Sequence, residues 1–428
     1  MTNGKIALIG FGISNKAVYE NLKCYGYPFL VRSLQEIRVP PGVELVFGDS
    51  YLDTEEDIIF RSPSCMPYKI KGKGHITSEV AFGLSHISCK KIGVTGSDGK
   101  TTVSTLVSKM LCAEGKNAFL CGNNGNPVIS YMGKTRKSDY LVCELSSFQL
   151  TDLAPALDCG VVTNLTPNHL DIHSSYEEYV YAKSNILKNA CRGVINFDCS
   201  ESRRLGTYLK SGSEMTFASL SYENVRGINS AHLVYVMDGY IFRNGKRIIP
   251  LSDIRLKGEF NLINVCLAIG TVYGHVSAEN IKNAVRDFYG VSHRMEKIAS
   301  KDGIDFYDSS IDSTPSRTLA TLSAFNKEKT LVILGGYDKN LSYDCLGDGM
   351  EKIKYAVICG ANSEKIYGAI KDRCECTLCD SFTESVKIAY RMAEKGDSVV
   401  LSPASASYDA FENYKEKSKK YIEIVRGL

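Results

Sequence analysis

Ten consecutive residues, Gly93-Val94-Thr95-Gly96-Ser97-Asp98-Gly99-Lys100-Thr101-Thr102, have the types and spacing that suit a chain of phosphates. Gly96 and Gly99 permit backbone conformations and close approaches that a side chain blocks, so successive N–H groups can converge on phosphate oxygens beside the positive end of a helix. Lys100 then supplies a point charge for the outer phosphates of a nucleoside triphosphate, and the Thr101 hydroxyl suits magnesium. The order is T-G-x-x-G-K-T, shorter than G-x-x-x-x-G-K-[ST], because Val94 stands where the longer pattern needs glycine. A glycine turn with a solvated lysine is the plain alternative. Context favours phosphate: residues 91–95 read as a buried strand, and Val103, Leu106, Val107, Met110 and Leu111 share one face of a following helix.

Other side chains could complete such chemistry. Glu144 closes the apolar run 141–144, where a carboxylate either coordinates magnesium or caps the next helix. His169, in Asn164-Leu-Thr-Pro-Asn-His169, follows another strand end and reads equally as a metal ligand or a structural histidine. Lys183 shares a helical stripe with Tyr176, Tyr179, Val180 and Leu187. Its amine either snorkels to solvent or loses its proton on an apolar face, and a neutral amine can take up CO2 as a carbamate, an additional carboxylate for a second metal ion. Arg294, within 292–296, is placed to reach a nucleotide phosphate. The loops 335–339 and 402–407 each follow a strand and offer polar groups to a substrate carboxylate, or are solvated loops.

The elements that must position these residues fall into three α/β segments, about 1–90, 91–290 and 291–428. The first opens with a strand at 5–9 and Gly10-Phe-Gly12-Ile-Ser-Asn15, an imperfect dinucleotide fingerprint. The strand after it runs into Arg32-Ser33 instead of an acidic ribose ligand, which favours a nucleotide phosphate over NAD. In the second segment, strands ending at Glu144, Asn164 and Asn196 should open onto the crevice that holds Lys100, since ligands bind outside the carboxyl ends of strands in open α/β sheets. The 428 residues exceed one hydrophobic core. Hydrophobic content of 44%, charged content of 23% and net charge +3 describe an ordinary soluble protein with no call for nucleic acid. Fifteen scattered cysteines, several in apolar runs, imply reduced thiols, and the Cys374, Cys376, Cys379 group lacks a second pair at zinc spacing. No apolar run approaches a membrane span or a signal peptide, so a cytoplasmic monomer is expected.

Taken together, the ordered motifs resemble the ATP-dependent Mur ligases over nearly the whole chain: Gly10 to Ser14, Thr95 to Thr101, Gly122 to Gly125, Glu144 to Leu150, Asn164 to Asp171, Tyr181 to Lys183, Gly258 to Asn264, Ser292 to Glu296, Leu334 to Lys339 and Leu401 to Tyr414. The resemblance implies an α/β fold of three domains: N-terminal Rossmann-like, central P-loop ATPase-like with a mostly parallel sheet, and C-terminal Rossmann-like. It implies ATP, two magnesium ions and a carbamylated Lys183, with UDP-N-acetylmuramoyl-L-alanine and D-glutamate as substrates. ATP would meet Gly96, Ser97, Asp98, Gly99, Lys100, Thr101, Thr102, Asn261, Asn264 and Arg294. The UDP-sugar would meet Ser14, Arg32, Ser33, Ser62, Asn123 and Ser146, and the amino acid Lys339, Ser407 and Tyr414. Thr101, Glu144, His169 and Lys183 would face metal, and Lys100, Lys183, His169 and Asn123 would be catalytic.

The chain departs from the family pattern in places. Where one form carries Asp-Ser-Lys-Ala-Thr, this sequence has Ser309-Ser310-Ile311-Asp312-Ser313, so an acceptor-binding lysine and a nucleotide-side aspartate are absent in register, and Asp308 or Arg317 are the substitutes at hand. Asn168 replaces an aspartate, and Lys417-Ser418 replaces Arg-Gly. These changes bear on acceptor choice more than on reaction type, leaving a Mur-type ligase with a different amino acid as one alternative. A P-loop switch protein is the non-enzyme alternative; the guanine motif N-K-x-D is missing.

Overall fold

The computed structural model describes residues 4–168, 172–229, 231–256, 258–338 and 341–428. Three sheets account for its strands. The first has five parallel strands in the order Glu44–Phe47, Phe29–Ser33, Ile6–Ile9, Ile58–Arg61, His75–Ser78. The second has nine: Lys246–Pro250, Tyr240–Arg243, His232–Met237, Glu214–Ser219, Arg192–Asn196, Cys159–Val162, Lys90–Thr95, Tyr140–Glu144, Ala118–Gly122. Only its two hairpin joints, at the Lys246–Pro250 end, are antiparallel. The third has six: Glu296–Lys301, Ile304–Asp308, Ser398–Leu401, Thr330–Leu334, Tyr355–Ile358, Cys376–Leu378, with the first pair antiparallel.

Mostly parallel sheets are covered on both faces, and their strands should read as unbroken apolar runs. Ile6–Ile9, Tyr140–Glu144 and Thr330–Leu334 are buried at every position. The expected α/β architecture is therefore the one observed. By packing, the chain divides into two compact units, 1–254 with 259–287, and 255–258 with 288–428. The boundary expected near 90 thus separates two sheets inside one unit.

Strand order explains where a ligand belongs. The chain runs from Lys90–Thr95 out to the edge strand Ala118–Gly122, returns to Tyr140–Glu144 on one flank and then crosses to Cys159–Val162 on the other. Lys90–Thr95 is thus the switch point of the sheet, with Glu144 and Thr163 flanking its carboxyl end. The helix that follows, Lys100–Ala113, is anchored by Val103, Leu106, Val107, Met110 and Leu111, all fully buried. Each such side chain contributes roughly 2 kcal/mol of hydrophobic stabilisation. The glycine loop is therefore held between two rigid elements.

Candidate active site

The glycines of the loop are dictated by their neighbours. Gly96 has φ +148°, and a Cβ there would lie 1.8 Å from Thr163 Oγ1; Gly99 has φ +79°, and its Cβ would lie 2.3 Å from Asn264 Oδ1. Asn264 and Asn261 both lie on the buried helix Glu259–Thr271, so Asn264 packs directly against the start of Lys100–Ala113. That helix begins at Gly99 with no side-chain cap, which leaves its first amides to a ligand. Two loop amides are already engaged: Ser97 N donates to Asn164 O at 2.8 Å and Asp98 N to Asn164 Oδ1 at 2.9 Å. The Ser97 hydroxyl bonds Tyr179 OH at 2.7 Å and Thr166 O at 2.9 Å. Ser97 and Asp98 therefore shape the loop, and the first-turn amides of the helix after Gly99 have no capping side chain. Asn164 has the same shaping role, and its strand ends two residues earlier than the sequence suggests, at Val162.

Glu144 is the hub of the site. It is 3% exposed, accepts from Thr101 Oγ1 at 2.7 Å and from Asn123 Nδ2 at 3.0 Å. Asn123 is fixed in turn by its own amide, which donates to Glu144 O at 2.8 Å. Glu144 does not cap a helix: Ser146 does, through a reciprocal capping box with Gln149 at the start of Ser147–Leu150. The Glu144 carboxylate and Thr101 hydroxyl thus meet beside the loop, hard oxygen donors of the kind magnesium prefers, with the Asn123 amide nitrogen holding the carboxylate.

Lys183 does not snorkel. Ser175 caps its helix, Tyr176–Lys188, which turns the apolar stripe inward and leaves the Lys183 side chain 2% exposed. Its Nζ donates to Gly96 O at 2.8 Å and lies 3.4 Å from Thr95 Oγ1 and 4.7 Å from the Tyr179 ring centre. Burial, reinforced by the charge of Lys100, holds this amine well below the usual lysine range, against the pull of Asp98 and Glu144. Lys100 Nζ donates to the Gly96 and Ser97 carbonyls, each at 2.9 Å. His169 lies outside the described residues, and so does Lys339.

On the first sheet, Gly10 turns with φ +72° and Gly12 starts the uncapped helix Ile13–Leu22. Asn15, standing where the fingerprint has its third glycine, donates to the Ile9, Gly10 and Phe60 carbonyls and so stitches the loop to two strands. Ser14 lines a small cavity with Arg61, Glu79 and Gln149, while Ser62 and Ser33 sit at strand ends. Arg32 is less available than its position suggests, since its guanidinium is buried against Glu56 at 2.9–3.2 Å. Burial works against that carboxylate, yet Arg32 holds its pKa below the usual value. Arg61 was not legible as a structural residue: fully buried, it pairs with Asp152 and donates to Phe148 O at 2.9 Å, tying the first sheet to the second. Glu79, also unanticipated, is desolvated to a pKa of about 7 while accepting from Ile129 N at 2.7 Å.

In the second unit, Arg294 follows His293, whose Nδ1 lies 2.9 Å from Asp308 Oδ2 and 2.8 Å from Ser418 Oγ. Ser407 and Tyr414 line one cavity of about 220 Å³. Lys417 is buried and donates to Gly335 O at 2.7 Å, bracing the loop that leads to residue 339.

Comparison with known proteins adds names to this geometry. Residues 94–272 match the Mur ligase middle domain and 293–405 the Mur ligase glutamate ligase domain. A UDP-N-acetylmuramoylalanine–D-glutamate ligase of Clostridium perfringens is 37% identical over 99% of this chain and 96% of its own length. The enzyme of that name from Acetivibrio thermocellus is 36% identical over 100% and 97%. Among solved structures, a UDP-N-acetylmuramate-alanine ligase of Thermotoga maritima aligns over 99% of both chains with TM-score 0.62 and 17% identity. A MurF ligase of Thermotoga maritima in complex with ADP aligns over 98% and 95% with TM-score 0.61 and 15% identity. The last two speak for the fold.

Proposed function

The chain belongs to the Mur ligase family, and from that premise we propose that it joins D-glutamate to UDP-N-acetylmuramoyl-L-alanine, with ATP cleaved to ADP, in bacterial peptidoglycan synthesis. The observation that carries the reading is the convergence, at the switch point of the central sheet, of the glycine loop, the Thr101–Glu144–Asn123 cluster and the buried Lys183 amine. The names of the full-length relatives supply the two substrates.

The alanyl carboxylate attacks the γ-phosphorus of ATP; an O–P bond forms, the bridging P–O bond breaks and ADP leaves. Lys100 and the amides at the head of its helix offset charge on the transferring phosphoryl oxygens. The amine of D-glutamate then adds to the acyl phosphate carbon, loses a proton, and the tetrahedral intermediate expels phosphate to leave the amide. Thr101 and Glu144 are the residues that would hold magnesium, whose chemistry is charge neutralisation on those same oxygens. Lys183 fits carbamylation, because burial and the nearby Lys100 charge favour the neutral amine, the form that adds CO2, and the product would be a further carboxylate close to the loop. Asn123 keeps the Glu144 carboxylate in place. The first sheet is the UDP-sugar platform in this reading and the third the acceptor platform. A cytoplasmic location is in keeping with fifteen free thiols, and in this reading the protein works as a monomer.

The test is an assay of ADP and amide formation with ATP, magnesium and the muramoyl-alanine precursor, scanning amino acids of both hands. D-Glutamate should be the one that supports turnover; absence of ADP with every amino acid would end the reading. A Mur-type ligase with another acceptor is the second reading, favoured by Ile311 standing where the acceptor lysine is expected.

A further inference from the structure

We infer that Arg317 supplies the cation that holds a carboxylate of the incoming amino acid, with the Ser310 and Ser407 hydroxyls completing the cradle, a role that rests on the ligase reading above. All three residues line the 220 Å³ cavity of the second unit, together with Ile311, Tyr408 and Tyr414. Ile311 brings no charge to that wall. Asp308, the other substitute the sequence offered, is spent elsewhere: Oδ2 accepts from Ser418 Oγ at 2.5 Å and faces His293, and Oδ1 accepts from Ser310 N at 2.8 Å. Its sign is also wrong for an anion.

Arg317 has the complementary profile. Its side chain is exposed and makes no hydrogen bond or ion pair among the described residues. It sits in the first turn of the helix Pro315–Leu322, whose N-cap Thr314 makes no side-chain capping bond. A cation in a first turn is what the helix field disfavours, and both positive features become favourable once an anion is bound. The hydroxyls make the second observation. Ser310 and Ser407 are 1% and 3% exposed, and neither Oγ has a hydrogen-bond partner. Buried polar groups are ordinarily paired, and those that are not call for an explanation. Neighbouring Ser405 shows the ordinary case, bonded to Asn362 Nδ2 at 2.5 Å and Tyr343 OH at 3.2 Å. Two orphaned donors and a free planar guanidinium around one amino-acid-sized space match a carboxylate, which accepts through both oxygens.

The experiment is to measure KM for D-glutamate, ATP and the muramoyl substrate in Arg317→Met, Arg317→Gln and Arg317→Lys, with thermal unfolding as a check on folding. Loss of the charge should raise the D-glutamate KM about 100-fold and leave the other two constants within about twofold, with Arg317→Lys in between. A D-glutamate KM within about threefold of wild type in the neutral variants, or all three constants rising together, would overturn the assignment. Where Arg317→Met fails to fold, Arg317→Gln carries the same test. If the wild-type protein instead uses a different amino acid, the D-glutamate reading falls by itself, and the Arg317 variants are then measured on that acceptor with the same outcomes.

Discussion

The glycine loop and the proposed acceptor cavity are built on opposite terms. Around the loop the side chains that build the site have protein partners, while the head of the helix stays uncapped: Thr101 and Asn123 hold Glu144, Asn164 holds two amides, and Lys183 and Lys100 share the Gly96 carbonyl. In the cavity two hydroxyls are buried without partners and an arginine stands alone. The first arrangement is preorganised for chemistry, where donors and charges must already be in place when the transition state forms. The second stores unsatisfied polarity that a ligand relieves, which is how a site gains specificity for one class of acceptor.

Variants can break this contrast at several sizes. The largest effects belong to the loop: Lys100→Ala and Lys183→Ala should each lower kcat by about 100- to 1,000-fold, the scale of losing a preorganised charge, with little change in the D-glutamate KM. Stopped-flow or steady-state ADP release reads this out, and short carboxylic acids should restore part of the Lys183→Ala activity if a carbamate is its working form. Unchanged activity in Lys183→Ala would remove the carbamate.

A smaller effect has opposite signs in the two regions. Asn123→Ala breaks a satisfied network and should cost about 1–2 kcal/mol of stability, whereas Ser407→Ala removes an orphaned hydroxyl and should be neutral or mildly stabilising. Urea unfolding of the two variants distinguishes them; equal losses would mean the cavity hydroxyls are satisfied after all. A pH-dependent effect concerns Glu79, a buried carboxyl outside both sites. Its folded pKa of about 7 lies above the unfolded value of 4.5, so the folded state holds the proton more tightly. Stability should be greatest below pH 4.5 for this group, fall as pH rises through that window, and level off above about 7. The difference in melting temperature between Glu79→Gln and wild type, taken across that range, should grow with pH; a flat difference would place the carboxyl in a more polar setting.

What could be seen in the sequence followed locality. Strand, glycine loop and helix are contiguous, so the candidate phosphate loop was readable from residues 91–111, whereas Glu144 is a candidate cap of the next helix in the sequence and the cap is made by Ser146 with Gln149. Lys183 was visible as a charge on an apolar stripe, but periodicity gives the direction of a side chain and not its depth; only packing against Tyr179 and the loop decides that it is buried. Long-range pairs left no trace: Arg61 and Asp152 are joined by folding across 91 residues, and Arg32 met Glu56 where a ligand was expected. The orphaned hydroxyls of Ser310 and Ser407 are likewise invisible in a string that contains many serines. Family resemblance supplied roles for residues whose local pattern was mute, such as Asn123 and Asn264.

The central claim is that ATP activates a carboxylate as an acyl phosphate. The most direct test is turnover of UDP-N-acetylmuramoyl-L-alanine carrying heavy oxygen in both alanyl carboxylate positions, with mass analysis of the phosphate released. One heavy oxygen should appear in phosphate and one should remain in the new amide. Phosphate free of the label, alongside amide formation, would contradict the account.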